Sequence, residues 1–335
     1  MTQISNKHSA KPIGLWHSAS GPLTIPLTND YLFRALLQLN NNVLKALISA
    51  LLGLPLSAIQ SAVINNPIIL GEAINEKTFF LDIVITLNDC TLVNLEMQVI
   101  NEHNWPERSL SYLCRTFDNL NSGDSYLSVK PAFQIGLLDF TLFPEYPEFY
   151  STYQFMNTKN HTIYSDKLYL SVLNLTRIDL ATEEDKARGL DHWAALFKAT
   201  TWEELKMLAK QNPFIDEASA TIYQLSQEEK IRWQCAARED YYKRQRTIQE
   251  LMDQQGTAIL EQNEVIKGQY ETIKSQDETI KNQDETIRSK NETIKNQDVT
   301  IKNQDVTINE LAAKNLALQK EMENLKQQLA AARRT

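Results

Sequence analysis

The sequence predicts an α/β core with a helical extension and a C-terminal coiled coil. Three observations predict it. Apolar runs of strand length cluster before residue 178, runs with helical spacing fill 182–250, and from Ile259 an isoleucine returns every seventh residue. The boundaries expected are a disordered N-terminus at 1–20, the core at 21–178, the extension at 179–250 and the coiled coil at 251–335.

Residues 1–20 are polar and lack periodicity. Thr28 or Asn29 can cap a helix, because either side chain accepts from first-turn N–H groups. Leu32, Phe33, Leu36, Leu37, Leu44, Leu47, Ile48 and Leu51 recur at helical spacing, and Gly53 and Pro55 stop the run. A first strand is expected at 66–74 (NPIILGEAI), then a hairpin at 77–100 with a polar turn at Asn88-Asp89. A helix is expected at 106–121 with Leu110, Leu113, Phe117 and Leu120 on its apolar face. Buried strands are expected at 132–140 and 167–175. Trp105, Trp193, Trp202 and Trp233 sit in apolar helical patterns, which suits core positions better than base-stacking platforms.

The tail differs in kind. Ile259, Ile266, Ile273, Ile280, Ile287, Ile294, Ile301 and Ile308 form an unbroken heptad series, extended by Met252 upstream and by Asn315, Met322 and Leu329 downstream. Three positions after each isoleucine come Gln262, Gln269, Gln276, Gln283, Lys290, Gln297 and Gln304, then Leu311; Leu318 and Leu325 continue that column. Ile at one seam position and Gln at the other predicts a parallel homo-oligomer of modest stability, since an unpaired buried amide costs about 1–3 kcal/mol. Dimer and trimer both fit; so does a single exposed helix. TIKNQD recurs identically at 279, 293 and 300, which suggests tandem duplication.

Composition narrows the classes. No run approaches the length of a membrane span, and the start lacks the apolar core of a signal peptide, so a cytoplasmic location is expected. Cys90, Cys114 and Cys235 are scattered, and five histidines form no cluster, which argues against zinc. The net charge is −8. Residues 251–335 carry 12 Lys/Arg and 14 Asp/Glu, so the remainder is acidic as well. A DNA-binding groove must therefore be local or built by association.

Asp82, followed by Glu96-Met97-Gln98, carries the chemistry. Two carboxylates on neighbouring strands suit a hard divalent cation, which prefers oxygen ligands and takes few from protein. Glu96 and Gln98 share a sheet face, with Met97 on the other. In order, TNDYLFRALL at 28–37, FFLDIVITL at 79–87, VNLEMQV at 93–99 and the stretch 107–140 resemble the Rpn family of recombination-promoting nucleases and transposases, a branch of the PD-(D/E)xK superfamily. The likeness spans most of 24–245 and leaves the tail outside.

That resemblance implies a PD-(D/E)xK restriction-endonuclease-like core and a Mg²⁺-dependent DNA endonuclease of low sequence specificity, linked to recombination, mobile elements or defence. Mn²⁺ and Ca²⁺ are alternative ions. Asp82 and Glu96 take the metal-ligand positions, and Gln98 stands where the commoner motif has Lys. Gln has no titratable proton, so it can orient water or phosphate but adds no charge. Asp30 matches an acidic position and serves either as an outer ligand or as a first-turn acid favoured by the helix dipole. Arg108 and Tyr112, four apart, either contact DNA phosphate, brace the site or make surface pairs; Glu102 and His103 receive no role. The rival reading is a catalytically inactive nuclease-fold protein working through its coiled coil.

Strand parity supplies a check. A two-residue loop at 88–89 pairs Asp82 with Leu95 and splits the carboxylates between faces. A three-residue loop, 88–90, pairs Asp82 with Glu96 on one face, so the metal reading requires an odd loop or a bulge.

Overall fold

The computed structural model describes residues 15–70 and 82–332. The chain divides into two compact units, Met1–Leu251 and Met252–Thr335. Among the described residues the first unit holds a six-stranded sheet: β1 (Ala62–Ile64), β2 (Ile83–Leu87), β3 (Thr91–Gln98), β4 (Ala132–Leu138), β5 (Tyr150–Tyr153) and β6 (Leu168–Asn174), in the order β1-β2-β3-β4-β6-β5. The central pairs β3–β4 and β4–β6 are parallel, and the outer pairs are antiparallel. Parallel neighbours need a crossover, and between β3 and β4 it contains helix α3 (Trp105–Phe117).

The two sheet faces are unlike. Val93, Leu95 and Met97 of β3 join Ile83, Ile85, Ile135 and Leu137 in the main core, with Leu32, Phe33, Leu36 and Leu47 from the first two helices. The alternate residues Asn94 and Glu96 turn away, towards a smaller cluster of Trp105, Leu113, Ala132, Leu138, Leu170 and Val172. The face that holds the polar residues is thus the one capped by α3.

Several expectations are corrected. The apolar run 28–51 is two helices, α1 (Asp30–Leu39) and α2 (Asn41–Leu52), bent by 111°. Asn40 makes the break: its side chain accepts from Asn42 N and Val43 N at 3.1 Å each, capping α2 while its own N–H closes α1. No strand occupies 66–70; the first strand among the described residues is Ala62–Ile64, and residues 71–74 of the expected one lie outside them. The expected disorder at 1–20 fails from Leu15 on, where a 3₁₀ turn buries Trp16 beside Trp202; residues 1–14 lie outside the description. β5 was not expected at all, and Leu110 is exposed.

Five helices follow the sheet: α4 (Glu183–Ala187), α5 (Leu190–Lys198), α6 (Trp202–Ala209), α7 (Pro213–Gln227) and α8 (Glu229–Ala332). Thr182 with Asp185, and Thr201 with Glu204, form reciprocal capping boxes that start α4 and α6. The first turns of α8 bury Ile231, Cys235, Arg238 and Tyr242, a stripe at helical spacing. Trp233 lies two residues off that stripe, roughly opposite it on the helix, and is 70% exposed rather than in the core.

In the second unit, from Met252, the described residues are helical and exposed. The eight heptad isoleucines are 54% to 62% exposed. Thr272, Thr279, Thr286, Thr293, Thr300 and Thr307 repeat one device: each hydroxyl donates to the carbonyl four residues back, at 2.8–3.0 Å.

Candidate active site

The site begins with a turn. Asn88 and Asp89 both adopt positive φ, 49° and 59°, which these residue types tolerate better than most. The Asn88 side chain anchors the turn: its oxygen accepts from Gln60 N and Ser61 N, and its amide donates to Ala58 O. Leu87 pairs with Thr91, so the loop has three residues, 88–90. The register runs on to Ile83 opposite Leu95, and the next step sets Asp82 opposite Glu96. The odd loop required above is present.

Glu96 is 3% exposed. Its Oε1 accepts from Arg108 Nη2, while Oε2 is buried with no hydrogen-bond partner among the described residues. Burial pushes the Glu96 carboxyl up to about 7; the negative charges of Asp82, Asp30 and Glu102 add to that, and Arg108 opposes it. Burial also raises Asp82, with the guanidiniums of Arg34 and Arg108 and the Asn94 side chain pulling back. Asn94 in turn donates to Gln134 Oε1 at 2.9 Å, an amide pair sealed between β3 and β4.

α3 is seated on the sheet at Gly136, the partner of Glu96 across β3–β4. A Cβ on Gly136 would stand 2.1 Å from Trp105 Cζ2, so only glycine lets the indole lie there. Arg108 follows Trp105 by three residues, and this seating aims its guanidinium at Glu96. Arg108 also pairs with Glu102 at 3.5 Å and lies over the Tyr112 ring, 5.7 Å from its centroid. Gln98 donates to Ile100 O at 3.0 Å and faces the same cleft.

α8 was expected as a helix, but its part in the cleft was not. Asp30 and Glu96 line a cavity of about 30 Å³ together with Glu102, Arg108 and three α8 residues, Arg238, Tyr241 and Tyr242. The Asp30 carboxylate accepts from Arg238 Nε at 2.8 Å and from its Nη2, and Asp30 N donates to Tyr242 Oη at 3.3 Å. Both oxygens of Asp30 are therefore engaged by an arginine. Neither role considered for Asp30 included that partner. A charged residue inside an otherwise apolar stripe, Ile231-Cys235-Arg238-Tyr242, was the available signal.

The residues fit a small hard cation. The donors are oxygens, one Glu96 oxygen lacks a partner among the described residues, and the cavity of about 30 Å³ beside Glu96, which Asp82 does not line, suits a water or a bare ion rather than an organic cofactor. No group of three or more His, Cys, Asp or Glu converges among the described residues. Mg²⁺ commonly uses only one or two protein carboxylates and keeps its waters, so two suffice.

A family model described as PD-(D/E)XK nuclease family transposase matches residues 27–252. The chain belongs to that family. No curated protein and no solved structure matched the chain. Membership in that family supports a nuclease-like or transposase-associated function, and the mixed sheet with its α3 crossover agrees with that fold. The match takes in the start of α8 with Arg238, Tyr241 and Tyr242, and ends where the exposed tail begins.

Proposed function

We propose that the protein is a Mg²⁺-dependent endodeoxyribonuclease of low sequence specificity, acting in the cytoplasm in recombination, on mobile elements or in defence. One observation carries the reading. The hairpin register ends at Ile83 opposite Leu95 and, continued by one residue, would bring Asp82 opposite Glu96, whose buried Oε2 has no partner among the described residues. Mn²⁺ or Ca²⁺ would meet the same donor set.

Asp82 and Glu96 would hold the cation, which when bound supplies Lewis acidity and acidifies a bound water. The other roles belong to the chain. Arg108 presents a planar set of donors suited to phosphate oxygens, and the Tyr112 ring beneath narrows its freedom. Gln98 orients a water or phosphate oxygen by hydrogen bonds without supplying a proton. Asp30 acts through Arg238, keeping α8 against the cleft.

Nicking of supercoiled plasmid by the full-length protein should appear with Mg²⁺ or Mn²⁺ and vanish in Asp82→Ala and Glu96→Ala. Activity surviving both substitutions would sink the assignment. A second reading, a catalytically inactive nuclease-fold protein working through its tail, is favoured by the hold of Arg108 on Glu96, since a carboxylate already paired with an internal cation needs no metal. Absence of metal-dependent nicking across all ions would select it.

For the tail we propose parallel self-association along the isoleucine stripe, which leaves eight large apolar side chains more than half exposed in a single chain. Ile280→Asp with Ile294→Asp should lower the mass seen by light scattering. An unchanged mass rules the stripe out as the contact.

A further inference from the structure

We propose that Arg34 and Asn66 form a clamp that sets the position of Asp82 and so the placement of the two carboxylates; this rests on the reading of Asp82 and Glu96 as metal ligands. Asp82 lies one residue before β2, beyond the last β1–β2 pair, Ile64 with Ile85. One more backbone bond follows, from Asn65 N to Val84 O at 2.7 Å. From there side chains replace the strand. Asn66 Oδ1 accepts from Val84 N at 3.0 Å and Asn66 Nδ2 donates to Asp82 O at 3.0 Å, so one amide imitates the next residue of a neighbouring strand.

Arg34 completes the clamp from α1. Its Nη1 donates to the same Asp82 carbonyl and its Nη2 to Asn66 O, so a single planar fork ties residue 66 to residue 82. Arg34 is 2% exposed. A guanidinium so buried is ordinarily matched to a carboxylate. This one gives both terminal nitrogens to main-chain oxygens, and the charge it faces is that of Asp82. Arg34 and Asn66 spend their side chains on main-chain atoms of residues 66, 82 and 84, so both are positioning residues. The arrangement explains how a residue outside the ladder keeps the register that the hairpin gives it.

The test is Mn²⁺ binding by the full-length protein, followed through the electron paramagnetic resonance signal of the free ion, with no reliance on nuclease activity. Asn66→Ala and Arg34→Met should each weaken binding about 10–100-fold, the usual effect of removing a residue that orients a metal ligand. Asn66→Ala should also speed amide exchange at Val84 by about tenfold or more, by opening that bond locally. Arg34→Lys, which keeps the charge but not the fork, should bind as poorly as Arg34→Met. Parental Mn²⁺ affinity in Asn66→Ala and Arg34→Met, beside lost affinity in Asp82→Ala and Glu96→Ala, overturns the clamp alone. Parental affinity in the two carboxylate variants overturns the ligand assignment and the clamp together. Full affinity in Arg34→Lys overturns the fork. Should Arg34→Met not fold, Asn66→Ala, at a half-buried position, decides by itself.

Discussion

The described residues of 15–251 and the helix from Met252 onward are stabilised by opposite kinds of interaction. In the first, decisive bonds join residues about two hundred apart: Asn29 Nδ2 to Cys235 O and Glu239 Oε1, and Asp30 to Arg238. In the second, the threonine column bonds only four residues back along its own helix. The first unit concentrates buried charge at one cleft, where removing a partner strands the other. The tail repeats a local solution, so single changes there are felt only as helix propensity unless another copy covers them. Long-range contacts make a site; local repeats make a surface.

The largest effect expected is in the first unit. Arg238→Met leaves the Asp30 carboxylate buried without its cation and should destabilise by about 3–5 kcal/mol, measured by urea unfolding. A loss below about 1 kcal/mol would place Asp30 in water and erase half the contrast.

The next is a pH effect. Glu96 binds its proton more tightly in the fold, near 7, than in the unfolded chain, near 4.5. Stability from this group is therefore fully present below about 4.5 and is lost as pH rises through about 7, by at most about 3 kcal/mol. Glu96→Gln should flatten that part of the profile of metal-free protein. Coincident slopes for parent and variant would show a solvated Glu96.

The smallest effect belongs to the tail. Thr286→Ala exchanges a back-bonded threonine for a better helix former and should shift helix stability by no more than about 0.5 kcal/mol, read by circular dichroism during thermal unfolding. A loss of several times that size would mean the threonine column is buried against a second copy.

What was legible in the sequence follows the range of the interactions. The strands at 132–138 and 168–174 could be read because strand length and apolar content are local. So could the requirement for an odd loop after Leu87, since parity is a local rule. The break at Asn40 could not, because apolar spacing continues across it and a capping asparagine looks like any other in Asn40-Asn41-Asn42. β5 escaped because Tyr150–Tyr153 has no apolar alternation and gains its order from β6. Of the candidate site, Asp82, Glu96, Gln98 and Arg108 were singled out by motif, and Arg108 does reach Glu96. Arg34, Arg238, Tyr241 and Tyr242 were missed because their partners are remote in the chain; nothing near Arg238 in the sequence points to Asp30.

Gly136 has a consequence for genetics. A residue with no functional group sits under the indole that seats α3, and any side chain there must displace that ring. Displacing Trp105 moves Arg108, one turn further along. A screen for loss of function would therefore score position 136 beside the carboxylates, and would find there an essential position whose whole contribution is the absence of a side chain.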